Sequence, residues 1–253
     1  MQAAPTNNII GKPFVQLTSV DSTNNYAMGR VQKGLATHGE AYFAWEQTKG
    51  KGQREKQWLS TRGENIILSI VLDTSAFFLH KQFFLSMAAA LSARDLFNKY
   101  TTNKALIKWP NDIYFGDRKA GGILLENIIQ GDAWRFAVVG FGLNINQTLF
   151  DASLKNATSL KQITGGSYDV LRLSEELCSI LQQRFVQLEN EEEQSILAEY
   201  NSALYRKHVV TKFKAGSRIF SATVKYVDEN GTLFIGDAAE ESFKFGEVEW
   251  LPD

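Results

Sequence analysis

From Lys108 to Glu126 the chain reads KWPNDIYFGDRKAGGILLE, a stretch that restricts the backbone at nearly every step. Pro110 fixes its own φ and has no amide hydrogen to donate, and it biases Trp109 toward an extended conformation. Asn111 and Asp112 can then turn the chain with their own side chains. Ile113, Tyr114 and Phe115 favour a strand and Gly116-Asp117 signals a turn. The chain returns through Lys119 into Gly121, Gly122, Ile123, Leu124 and Leu125. The segment therefore predicts a short apolar hairpin carrying two lysines. Glycines in a returning strand weaken it and mark close approach of a ligand or another backbone. Two readings of Lys119 stay open on residue types alone: a solvated hairpin lysine, or a cation beside a bound anion.

Around this hairpin the hydrophobic periods predict a mixed sheet with helices on one side. Phe14 to Leu17 alternates as a strand, and Asp21-Ser22-Thr23 offers capping oxygens to a helix from Asn24 to Lys33. Strands follow at Glu40 to Glu46 and Asn65 to Leu72, with the polar link Thr48 to Gly63 between them. Links of that length without regular structure tend to be lids or binding loops. Phe83 to Tyr100 has helical spacing. Ala105 to Trp109, Asp112 to Phe115, Lys119 to Ile129 and Trp134 to Asn146 read as successive strands, the last two joined at Gly131-Asp132. Leu171 to Leu188 and Gln194 to Tyr205 read as helices, with Glu189 to Glu193 as a solvated face. From His208 the period becomes two, with an Asn230-Gly231 hairpin turn and further strands at Leu233 to Ile235, Phe243 to Phe245 and Val248 to Trp250. That pattern is a small β-barrel or sandwich.

A chain of 253 residues, 44% hydrophobic and 22% charged, can bury one large core and a small satellite. Its formal net charge of -1 gives no overall attraction to nucleic acid or an anionic membrane, so any basic function is local. No run approaches the length of a membrane span, and MQAAPTNNII lacks the basic and apolar regions of a signal peptide, so a cytoplasmic protein is expected. The single Cys178 excludes a disulfide within the chain and suits a buried apolar role. His38, His80 and His208 lie too far apart for a zinc site, and no nucleophile elbow supports a Ser-His-Asp arrangement.

Three further stretches carry chemistry. Thr48 to Trp58 gathers Lys49, Lys51, Arg54 and Lys56 with Gly50 and Gly52, a cationic loop whose amides can approach an oxyanion. It is not a Walker loop, since GxxxxGK[ST] is absent. A mobile solvated loop is the other reading. Ser22 and Thr23 are helix caps that can also read a ligand. Gly140 to Gly142 with Asn144 fits either a tightly packed strand or a site.

KWPNDIYFGDRKAGGILLE, together with DSTNNYA (Asp21 to Ala27), EQTKGKGQREKQW (Glu46 to Trp58), NIILSIVL (Asn65 to Leu72) and VVGFGLNIN (Val138 to Asn146), resembles the biotin protein ligases in content and order. Those enzymes adenylate biotin and pass it to a carrier lysine. The resemblance covers Phe14 to about Asn146 strongly and the tail to Leu251 more loosely. It implies an α+β, class II synthetase-like catalytic domain over residues 1–206 and an SH3-like β-barrel over 207–253. It assigns Ser22, Thr23 and Asn24 to the biotin head group and gives Gln47, Lys51, Gly52 and Gln53 biotin contacts. Arg54, Lys56, Trp58, Asn111 and Asn144 fall to ATP or the adenylate. The sequence departs from the family pattern where arginines and a second glycine are replaced by Lys51, Gln53 and Glu55. Lysine keeps the charge but loses the bidentate fork, and Gln53 supplies no charge. Arg54 or Lys56 is then expected to carry more of the loop's charge.

Joining a carboxylate to a triphosphate means cancelling repulsion between two anions and aligning them. The implied mechanism has Lys119 bridging the biotin carboxylate and the α-phosphate, Lys108 and the loop cations assisting, and Mg²⁺ arriving with ATP rather than in a protein-built metal site. Asp112 would help the acceptor lysine of a biotin carboxyl carrier protein lose its proton. A lipoate–protein ligase of the same fold is the alternative, and the STNN cap with the EQTKGKGQ loop fits biotin better. About a dozen residues before the first strand leave no room for the N-terminal helix-turn-helix of the repressor forms, so no nucleic-acid or membrane partner is expected. A monomer or a homodimer fits equally.

Overall fold

The run NIILSIVLD shows no alternation because both of its faces are covered. In the computed structural model, which describes residues 9–54, 56–236 and 240–251, this run is the strand β3 (Asn65–Asp73) of a seven-stranded sheet. The other strands are β1 (Phe14–Leu17), β2 (Ala41–Ala44), β4 (Leu106–Lys108), β5 (Asp112–Phe115), β6 (Arg118–Gln130) and β7 (Ala133–Asn144). Their order is β1-β2-β3-β7-β6-β5-β4, parallel between β1 and β2 and antiparallel elsewhere. Alternate residues of β3, Ile66, Leu68, Ile70 and Leu72, enter the main core with α2 (Gln82–Tyr100) and α4 (Val170–Glu189). On the opposite face Val71 joins Tyr42, Val138 and the α1 (Thr23–Gln32) residues Ala27 and Val31 in a second cluster. The expectation of helices on one side is thus corrected. β3 is apolar on both faces, so each needs cover, and α1 covers only part of the second.

The elements lie where the sequence places them, with ends displaced by a few residues. The helix α3 (Leu160–Thr164), capped by Ser159 and closed by Gly165 at φ 78°, is too short to show a period in the sequence. Glu193, read as part of a solvated acidic face, opens α5 (Glu193–Ser202) and pairs with Lys81 at 2.5 Å, where both side chains are mostly shielded. Cys178 is buried as expected, and burial pushes its thiol up to about 12. His38 accepts from the Asp73 amide at 3.1 Å, and no group of three metal-ligating side chains occurs among the described residues. No helix among them is long and apolar enough to cross a membrane.

The tail forms an antiparallel five-stranded sheet, β11-β10-β9-β8-β12, the SH3-like unit. Its strands are β8 (Val210–Ala215), β9 (Arg218–Val227), β10 (Leu233–Gly236), β11 (Glu240–Phe243) and β12 (Glu249–Trp250). The strand expected at Phe243 to Phe245 stops at Phe243. Gly246 takes φ 95° and the Glu247 amide returns to the Lys244 carbonyl, so Phe245 sits in a turn.

Three contacts fix this sheet and the WPND stretch to the larger body. Ile107 of β4 exchanges backbone bonds with Ala203 and Tyr205, both 2.8 Å, so the linker adds to the sheet edge. The Trp109 indole donates to the Gly231 carbonyl at 3.0 Å. The wholly buried Tyr200 donates to the Pro110 carbonyl at 2.7 Å. Tyr200→Phe should lower stability by about 1 kcal/mol, read as a lower urea midpoint at unchanged slope.

Candidate functional site

Register decides what the uncovered part of the sheet presents. Directly opposed residues of antiparallel strands share a face. Lys108 lies opposite Asp112, Asp112 opposite Gly122, Gly122 opposite Gly142, and Gly142 opposite Ile67. The neighbouring row runs Leu124, Gly140, Ser69. Three glycines thus remove side chains from the middle of one face, and a cavity of about 980 Å³ opens above them. A Cβ on Gly140 would run into the Asn24 carboxamide, and one on Gly142 would lie 2.6 Å from the Trp58 indole. All fifteen residues that the sequence nominated for the site line this cavity.

At one end, the N-terminus of α1 supplies a polar cluster. Ser22 caps the helix through the Asn25 amide. Gln47 Oε1 accepts from the Thr23 amide at 2.7 Å and from the Thr23 hydroxyl at 3.1 Å. Ser69 Oγ stands 2.8 Å from Thr23 Oγ1 and 2.5 Å from Asn24 Oδ1, and its single proton serves one of them at a time. Asn24 Nδ2 donates to Glu126 at 2.8 Å, and Glu126 also lies 3.9 Å from the Lys51 ammonium. Ser69 and Glu126 escaped the sequence reading because each sits in a strand that periodicity assigns to packing.

The Thr48 to Trp58 loop folds on itself rather than standing open. Gly52 N donates to Lys56 O at 2.6 Å, and Trp58 N to Gly50 O at 2.9 Å. The second bond brings the Trp58 indole down onto Gly142. Gln53 and Lys56 border the cavity, whereas Glu55 lies outside the described residues. Arg54, at φ 53°, reaches across to the C-terminal sheet, where its guanidinium lies 4.8 Å from the Phe245 ring centre and over Gly246.

The two lysines of the opening motif have different environments. Lys119 Nζ pairs with Asp112 Oδ1 at 2.6 Å, with both side chains partly exposed. A bulge between Ile113 and Tyr114 shifts the register there. Residues 156–158 clamp the Lys119 backbone, with Lys119 N donating to Asn156 O at 2.6 Å and Thr158 N to Lys119 O at 2.8 Å. The Lys108 ammonium instead faces the rings of Tyr114, Trp250 and Tyr205, and burial lowers its pKa against the opposing pull of Asp112. Asn111 does not turn the chain with its own side chain. Its amide donates to the Ile123 carbonyl, while Asn144 Nδ2 donates to Thr158 O at 2.9 Å.

Seven cationic and three anionic side chains line the cavity among the described residues, so the site is electropositive in a chain of net charge -1. Lys155 and Lys214, which belong to that count, had no motif around them in the sequence.

A sequence profile described as Biotin/lipoate A/B protein ligase family matches residues 17–144. The Bifunctional ligase/repressor BirA of Escherichia coli is 34% identical over 152 residues, 58% of this chain and 44% of that protein. The Biotin--[acetyl-CoA-carboxylase] ligase of Mycobacterium tuberculosis is 30% identical over 184 residues, 72% of this chain and 66% of its own length. Against the first of these relatives the chain spans about half of their length or less. Among solved structures, the biotin protein ligase from Aquifex aeolicus in complex with biotin and ATP superposes with a TM-score of 0.80 at 24% identity, covering 98% of this chain and 100% of that one. That likeness carries the fold.

If the glycine floor seats the loop, filling it should release the loop. Gly142→Ala should overpack the Trp58 contact by about 1–3 kcal/mol and speed tryptic cleavage at Lys51, Arg54 and Lys56, whereas Gly29→Ala, at an open position late in α1, should leave the cleavage rate unchanged.

Proposed function

This chain belongs to the biotin/lipoate A/B protein ligase family, and we propose that it is an ATP-dependent biotin protein ligase. It forms biotinyl-5'-AMP and passes the biotinyl group to a lysine of a biotin carboxyl carrier protein. The observation that carries this reading is the convergence, in one glycine-floored cavity, of a polar cluster at the α1 N-terminus and the Lys119–Asp112 pair. We take residues 1–206 as the catalytic domain and 207–253 as the SH3-like domain, working in the cytoplasm.

Biotin has a neutral ureido ring at one end and a carboxylate at the other, and the cavity is graded the same way. Ser22, Thr23, Asn24 and Gln47 receive the ureido group with donors and acceptors whose directions are already set by hydrogen bonds between Thr23 and Gln47 and to Asn25, Ser69 and Glu126. Lys51, Gly52 and Gln53 close over the ligand, Gln53 as a neutral contact. The carboxylate then lies toward Lys119. ATP takes the cationic side, with Asn111, Asn144 and Trp58 beside the nucleoside and Arg54, Lys56 and Lys108 beside the phosphates.

In the first step a carboxylate oxygen bonds to the α-phosphorus and the bond from that phosphorus to pyrophosphate breaks. Lys119 holds both reactants against their repulsion, which is positioning and electrostatic stabilisation rather than covalent chemistry. In the second step the acceptor amine attacks the acyl carbon and AMP leaves, with Asp112 taking the amine's proton. The lining offers no cluster of three carboxylates or histidines among the described residues. Mg²⁺ would arrive with ATP and would supply charge to offset the departing pyrophosphate, on the side of the cavity that Lys56 and Lys108 line.

Lys119→Ala should lower biotin-dependent ATP–pyrophosphate exchange by at least about 100-fold without changing the circular dichroism spectrum; exchange at the wild-type rate would remove Lys119 from the chemistry. Incubation with ATP, Mg²⁺ and either biotin or lipoate should give the biotinyl adenylate by mass, and lipoyl adenylate alone would overturn the reading. Biotin with ATP should also protect Lys49 to Trp58 from proteolysis, and equal cleavage with and without ligand would count against a closing loop.

A further inference from the structure

Lys108 is the cavity cation whose surroundings the reading above leaves unexplained. Its ammonium donates to the Tyr114 hydroxyl at 3.5 Å and lies 5.0 Å from the ring centre of Tyr114, 5.5 Å from that of Trp250 and 5.9 Å from that of Tyr205. Among the described residues no carboxylate comes within ion-pair distance of it, in contrast to Lys119 on Asp112 at 2.6 Å. The three rings come from three parts of the chain. Tyr114 is on β5, Tyr205 is in the linker that adds to β4, and Trp250 is on β12, the edge strand of the C-terminal sheet. The rings also brace one another, with centres 5.0 Å apart for Tyr114 and Tyr205 and 5.7 Å apart for Tyr205 and Trp250.

Nor is Trp250 placed to satisfy its own polar atom. Its indole N–H is buried without a hydrogen-bond partner among the described residues, an arrangement that is unfavourable by itself. What the indole offers is its face, which holds a cation without neutralising it. A carboxylate partner would match the lysine's charge, whereas an aromatic cage leaves it available to an incoming anion.

We propose that Trp250 and Tyr205 are positioning residues that hold the Lys108 ammonium over the cavity to receive the phosphate chain of the nucleotide. The proposal rests on the biotin ligase reading and deepens it. When the bond between the α-phosphorus and pyrophosphate breaks, the electron pair leaves with pyrophosphate, and Lys108 offsets the charge that develops there. The C-terminal sheet thereby completes the adenylation site through one side chain.

The test is a substitution series read by biotin-dependent ATP–pyrophosphate exchange, with direct binding of biotin alone as control. Trp250→Leu keeps apolar bulk but removes the aromatic face, and kcat/KM for ATP should fall about tenfold while biotin binding stays unchanged. Trp250→Phe restores a face and should recover most of the loss. In a Lys108→Met background, Trp250→Leu should have no further effect. Should Trp250→Leu fail to fold, Tyr205→Leu carries the same expectation from the linker side. Equal kcat/KM in the Leu and Phe variants, or a full tenfold loss that persists without Lys108, overturns the proposal. A wild-type protein that makes no biotinyl adenylate would instead overturn the functional reading.

Discussion

A ligand can approach the backbone of a sheet face closely only where that face lacks side chains and is not covered by a helix. Here the empty row is Gly122 and Gly142, with Gly140 beside them, on the half of the sheet that α1 leaves bare. Everything else at the site depends on this. The Trp58 indole can lie on the sheet because Gly142 has no Cβ, and Asn24 can approach the floor because Gly140 has none. Glycine in a strand is intrinsically destabilising. The long pairing of β6 with β7 and of β3 with β7 offsets that penalty, since the glycines sit at the centre of the sheet and not at an edge.

Much of this was legible in the sequence, because the signals are local. Pro110, the Gly121-Gly122 pair and the cap at Ser22 each impose a backbone conformation that few arrangements satisfy, and their elements appear where expected. Face assignment was not legible in the same way. A run such as NIILSIVL is apolar at every position, so period alone cannot say that Ile66 and Val71 face different cores. The same limit hid Ser69, whose hydroxyl meets Thr23 and Asn24 from a strand that otherwise reads as core. Contacts between remote segments, such as Arg54 on Phe245 or Lys108 among three rings, leave no trace in local pattern.

The loop departures acquire a physical context from these contacts. With lysine at position 51 and glutamine at 53, the loop has fewer fork-shaped donors than the resemblance implies. Its remaining arginine, Arg54, lies against the C-terminal sheet, and Lys51 lies near Glu126. Both are weak, partly solvated contacts of the kind an anionic ligand can displace. A loop held by such contacts is kept near the cavity without being locked over it. The closure proposed above would then follow from ligand charge and not from the loop's own hydrogen bonds, which are already made between Gly50 and Trp58 and between Gly52 and Lys56.

Charge distribution among the lysines argues for a division of labour. Lys119 is matched by Asp112 before any ligand arrives, so binding an anion there means exchanging one partner for another and gains less than binding at an unpaired cation. That suits the role proposed for Lys119, aligning a carboxylate with an α-phosphate and later releasing AMP, because an unmatched cation at that point would bind the intermediate and the product too tightly. It also suits the role proposed for Asp112, since a ligand that takes over Lys119 would leave that carboxylate to accept a proton from the acceptor amine. Lys108 has no carboxylate partner among the described residues; its three rings face the ammonium without matching its charge, and burial lowers its pKa. On the proposed reading, the site separates the cation assigned to the reacting centre from the cation assigned to the leaving group by giving one a carboxylate and the other three rings.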